Sequence, residues 1–167
     1  MVFASADSAP LHGFATDTDA PSFARRDLPR PVPLLTALSP LAGPLKVIFG
    51  FGAAAQNKVI TLPDDLHLGV EIAAELGTPV TAVMDGTVGM VGHNEDTGNF
   101  IVIKHPGGVW TVYGHLARVA VPSGMVVARG ATIAHSGITG LVTEPALHFG
   151  IVKDGTTFFD PQSMLRK

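Results

Sequence analysis

The chain has no cysteine. Disulfide cross-links, thiolate nucleophiles and cysteine-ligated metals are therefore excluded. The compartment stays open, because a cysteine-free chain suits an oxidising or a reducing space. Charge is also scarce: 15% of the 167 residues are Asp, Glu, Lys or Arg, and the formal net charge is -3. No basic footprint for nucleic acid is present. No apolar run reaches the roughly 20 residues that a membrane-spanning helix needs. The opening "MVFASADSAPLHGF" lacks a basic start followed by an apolar stretch, so no secretory signal is visible in it.

What the chain does have is turn chemistry, with 19 glycines and 13 prolines. Short Val- and Ile-rich runs lie between them, which points to a β-rich body. The length allows one domain with a proper core. Residues 1–45 differ in texture, with "SADSAP", "TDTDAPS" and "RRDLPRPVPLLTALSPLAGP" rich in Pro, Ser and Asp. Pro29, Pro31 and Pro33 favour an extended path and exclude a helix interior. This stretch reads as an arm or linker, with Leu34, Leu35, Leu38 and Leu41 available to dock part of it. Residues 46–167 read as the globular domain. "KVIF", "PVTAVM", "GTVGMVGH", "NFIVIKH", "VWTVYGHL", "MVVA" and "LHFGIV" are the candidate strands. "HPGG", "DTGN" and "PSG" are the candidate turns. "GVEIAAEL" has room for one turn of helix, limited by Gly69 and by Gly77-Thr78-Pro79. The expected architecture is mainly β, an antiparallel two-sheet sandwich-like domain with a groove, preceded by the Pro-rich arm.

Histidine is the residue type that could carry chemistry, with seven copies. "HLGVE" places His67 four residues before Glu71, "YGHL" holds Tyr113 and His115, and "ALHFG" holds His148. On a strand, Ala146, His148 and Gly150 share one face, and Leu147, Phe149 and Ile151 take the core face. Tyr113 and His115 are likewise expected on one face. A catalytic zinc takes three protein ligands from imidazole nitrogen and carboxylate oxygen and keeps one position open. His67, Glu71 and His148 make such a set, which leaves His115 free to move a proton. Spacing alone does not establish this, since a single histidine is more often a surface or satisfied core residue. His105 in "IKHPGG" reads as structural, Trp110 as packing, and Asn99 as a turn holder or groove edge.

The order of these segments resembles the lysostaphin/LytM-type zinc metallopeptidases, which cut peptides of bacterial peptidoglycan. The resemblance covers about Leu66 to Leu165, from "HLGVEIAAELGTPVTAVMDGTV" to "ALHFGIVKDGTTFFDPQSML". It implies that His67 and His148 bind zinc. Glu71 stands at the family's Asp ligand position, one methylene longer. It also implies that His115 is one of two catalytic histidines. The other belongs at position 146, where this chain has alanine, and Gly150 stands where glutamate is frequent. Tyr113 and Asn99 are expected to face bound peptide.

Alanine can neither donate a hydrogen bond nor exchange a proton. Weak or absent turnover with zinc retained is therefore the expectation. The alanine is consistent with natural drift, with a substitution made to trap substrate, or with His135 of "IAHSGITG" taking over. A non-catalytic module that binds peptidoglycan or activates a cell-wall amidase is the competing reading. A biotinyl carrier, suggested by "VMDGTVGMV", is excluded because Asp85 follows Met84 and the nearest lysine, Lys104, lies elsewhere. The resemblance places the protein in the periplasm, the cell wall or the extracellular space.

Overall fold

The computed structural model describes residues 38–52 and 67–166. Ten strands run β1 (Val47–Phe49), β2 (Val70–Ala73), β3 (Pro79–Thr81), β4 (Gly86–Asn94), β5 (Gly98–His105), β6 (Val109–Val119), β7 (Val126–Val127), β8 (Thr132–Ser136), β9 (Ala146–Lys153) and β10 (Thr157–Phe159). Two 3₁₀ turns, Pro106–Gly108 and Pro161–Ser163, are the helical elements among the described residues. The main path of the sheet is β1-β2-β9-β6-β5-β4-β7, and all its ladders are antiparallel.

The two layers belong to one hydrogen-bonded sheet that divides at β6. The first part of β6 pairs with β5 and β9, and its end, Leu116–Val119, pairs with β8. β8 in turn carries β3. The main core lies between this ribbon and the sheet. Val80, Ile133 and Ala134 meet Ile101, Ile103, Tyr113, Leu147, Phe149 and Ile151 there. Period-two alternation sends the other residues of the same strands to the opposite face. On that face Phe100, Val102, Val112 and Val152 form a smaller cluster with Trp110 and Phe158 packed against it.

One segment differs from the sequence reading. "GVEIAAEL" yields strand β2 rather than a helical turn, because its backbone pairs with β1 on one side and β9 on the other. Leu38 and Leu41, two of the arm leucines available for docking, are buried in the core. The amide of Leu38 donates to Met164 O and its carbonyl accepts from Arg166, which ties this segment to the C-terminal turn. Leu34, Leu35 and the prolines before them lie outside the described residues.

A polar chain crosses the main core. His105 donates from Nδ1 to Asp85 O at 2.9 Å, so its neutral ring leaves Nε2 bare toward Thr111 Oγ1 at 2.7 Å. Thr111 Oγ1 and Tyr113 Oη lie 3.1 Å apart, and Tyr113 Oη accepts from the Val83 amide. Burial lowers the His105 pKa despite the opposing pull of Asp85. The unfolded chain therefore takes up this proton first as pH falls through about 6.5. The contribution to stability is complete above that value and is lost as pH falls toward the folded pKa. Melting temperatures at pH 8 and pH 5 test this. The fall is expected to be smaller for His105→Gln than for the original chain.

Candidate metal centre

The cluster forms on the sheet face opposite the main core. Val70 and Ile72 are fully buried in that core, so Glu71 between them points to the other face. Glu71 lies directly across the ladder from His148. Leu147 and Phe149 flank His148 in the same alternating way. His67 precedes β2 and is held by the edge of the Phe49 ring, 4.9 Å between centroids, and by Gly50 O, 3.2 Å from its Nδ1. His115 arrives from β6 with Nδ1 2.8 Å from Thr139 O.

The four side chains meet at one atom. Glu71 Oε1 lies 3.0 Å from His67 Nε2, 3.0 Å from His148 Nδ1 and 3.3 Å from His115 Nε2. All four residues are buried. The longer side chain of glutamate is absorbed, since a single oxygen reaches all three rings. Burial opposes a charge on Glu71, but the electrostatic pull of the His148 ring and hydrogen bonds from His115, His148 and His67 outweigh it. The carboxyl is held well below its ordinary range.

The proton arrangement shows what this set accommodates. A carbonyl oxygen only accepts, so His67 and His115 both carry hydrogen on Nδ1. In neutral rings both Nε2 atoms then turn lone pairs toward a carboxylate oxygen. Protonated rings relieve this clash, and so does a cation among the nitrogens. His148 can meet Glu71 as a neutral Nδ1–H donor, and burial disfavours a charge on it. Burial lowers its pKa despite the pull of Glu71, and His67 and His115 push in the same direction. Glu71 Oε2 is buried without a hydrogen-bond partner, a second oxygen available to a metal. One ligand atom from each of His67, Glu71 and His148 lies within 4.8 Å of the others. Two imidazoles and a carboxylate suit zinc, and the donor set fits it.

The remaining site candidates fall in different places. Ala146 is two residues before His148 on the same face of β9 and is fully buried. Tyr113 does not share a face with His115. His115 has φ 58°, which breaks the alternation, so the Tyr113 ring stays in the main core against Phe149 while His115 turns to Glu71. Burial pushes the Tyr113 hydroxyl up to about 12. Asn99 reaches the cluster only through Thr139, whose hydroxyl accepts from the Asn99 amide; the Asn99 Nδ2 donates to Leu116 O and its Oδ1 meets His93. His135 bonds Arg118 through Nε2 at 3.1 Å, and no bond joins it to Glu71. His105 holds the core chain described above, and Trp110 lies under Lys104 Nζ at 4.9 Å.

Thr139 and Gly69 are the site residues that the sequence reading missed. Thr139 acts through its carbonyl, which residue type cannot reveal. Gly69 sits inside the quoted "HLGVE", and its signal was there to use. A Cβ at position 69 would lie 2.6 Å from His148 Cε1 and 2.8 Å from Phe149 O.

Comparison with known proteins finds relatives of this fold. The peptidoglycan DD-endopeptidase ShyA of Vibrio cholerae is 40% identical over 89 residues, 53% of this chain and 21% of ShyA. The shared stretch is thus about a fifth of that relative's length. The catalytic domain of the antimicrobial peptidase lysostaphin from Staphylococcus simulans superposes with a TM-score of 0.65 at 30% identity. That match covers 75% of this chain and 93% of the lysostaphin domain. A zinc-containing peptidase from Vibrio cholerae gives a TM-score of 0.65 at 31% identity, over 75% of this chain and 39% of its own. The sequence model described as Peptidase family M23 matches residues 65–161, more than half of the chain and all of the cluster just described, and the chain belongs to that family.

Proposed function

We propose that this chain is a peptidoglycan-directed peptidase domain whose His67, Glu71 and His148 hold a zinc ion and whose turnover is weakened by Ala146. The observation that carries the proposal is the convergence of three ring nitrogens on one buried oxygen of Glu71. The names of the relatives support the substrate class: ShyA is a peptidoglycan DD-endopeptidase. The metal, when bound, supplies Lewis acidity toward a peptide carbonyl.

The chain's own groups do the rest. Glu71 stays anionic and balances the cation's charge. His148 stays neutral and ready to ligate. His115, fixed on Nδ1–H by Thr139 O, offers a bare Nε2 that takes a proton from the attacking water and returns it to the leaving amine. A second donor aimed at the developing oxyanion is missing, because Ala146 has none. The work is expected outside the cytoplasm, in the periplasm, the wall or the extracellular space.

The test is release of soluble muropeptides from purified peptidoglycan, read by mass spectrometry. Slow release that a chelator abolishes is expected, and the product masses name the bond cut. Release that survives chelation contradicts the proposal. If neither this chain nor its Ala146→His variant releases anything, a module that binds peptidoglycan or activates an amidase takes its place.

A further inference from the structure

His115 and Asp154 are the non-glycine residues with positive φ among those described. A side chain in that conformation is unfavourable and persists only where its surroundings enforce it. At His115 the enforcement is visible. Its amide donates to Thr97 O at 2.7 Å, and its ring Nδ1 donates to Thr139 O at 2.8 Å. Thr139 is itself held from two strands. Its hydroxyl donates to Leu116 O at 2.9 Å and accepts from the Asn99 amide at 3.0 Å. Asn99 Nδ2 donates to the same Leu116 carbonyl at 3.0 Å. The fit is close: a Cβ on Gly98 would lie 2.3 Å from the Thr139 carbonyl carbon. The loop thus rests on the β5 backbone with no room for a side chain between them.

We propose that Thr139 is a positioning residue for His115. Its hydroxyl locks its own carbonyl against the ring, which fixes the Nδ1–H tautomer and turns the bare Nε2 toward the metal centre. Thr139 touches neither substrate nor metal and acts only through His115. The inference rests on the proton-transfer role given to His115 above, but its first readout does not depend on turnover.

The experiment compares the original chain, Thr139→Val and Thr139→Ser, each loaded with zinc. Long-range ¹⁵N–¹H spectra of the imidazoles report the tautomer of each ring. The original and the Ser variant are expected to show His115 as a single Nδ1–H form. Thr139→Val is expected to show mixed or broadened His115 signals, with His67, His148 and zinc content unchanged. Should Thr139→Val not fold, Thr139→Ala reads the same quantity. In whichever background turns over, the original or Ala146→His, kcat is expected to fall about 10- to 100-fold in the Val variant, with KM unchanged. Thr139→Ser is expected to restore it. A His115 spectrum unaffected by Thr139→Val overturns the proposal. So does a shift of all three rings together with loss of zinc, which would mark Thr139 as a general structural support. Absence of turnover in every background refutes the peptidase reading, and the tautomer spectra still decide this one.

Discussion

Ala146→His is expected to raise muropeptide release by about 10²- to 10⁴-fold, the range associated with one positioned acid–base or oxyanion group. The argument starts from the register of β9. Its ladder with β2 runs from Ala146 to Phe149 without a shift, so position 146 shares the face of His148. An imidazole there points toward the same centre as His115 and supplies the missing donor. The gain is opposed by packing. Ala146 is fully buried, and a larger side chain must displace what covers it. Overpacking of this kind costs about 1–3 kcal/mol. A lower melting temperature together with faster release is the combined signature. Unchanged release from a folded, zinc-loaded variant would show that the missing group does not limit turnover.

Gly69→Ala is expected to weaken zinc binding by about 10- to 100-fold, as for loss of a group that orients a ligand. The added methyl meets the His148 ring at 2.6 Å and the Phe149 carbonyl at 2.8 Å. The ring can swing away, but the carbonyl belongs to the ladder between β2 and β9 and cannot. Either movement takes His148 Nδ1 from its place beside Glu71. Gly150→Ala is the control, because a Cβ there finds Leu68 O at 3.3 Å and the His148 ring at 3.7 Å. Competition with a chromophoric chelator measures both variants. Equal affinities for the two would remove Gly69 from the account.

The sequence made the candidate metal ligands His67, Glu71 and His148 legible and obscured their surroundings. Val70 and Ile72 flank Glu71, and Leu147 and Phe149 flank His148, so simple alternation separates core from site on both strands. That alternation fails at His115, where positive φ turns the ring away from the face that Tyr113 occupies. Nothing in "VYGHL" announces the kink. β2 was obscured by Ala, Glu and Gly, which read locally as a helical turn. Its two neighbours in the sheet decide otherwise, and they come from distant parts of the chain. β8 and β10 are short and pair only with partners far along the chain or across a turn. Thr139 was invisible because its carbonyl meets the ring while its hydroxyl bonds only to backbone groups.

The central claim is that His67, Glu71 and His148 together hold one metal ion. Zinc content after exhaustive dialysis tests it most directly, measured by plasma mass spectrometry on the folded original chain and on His67→Ala. The account predicts close to one zinc per original chain and little in His67→Ala. A folded His67→Ala protein that retains as much zinc as the original would contradict it.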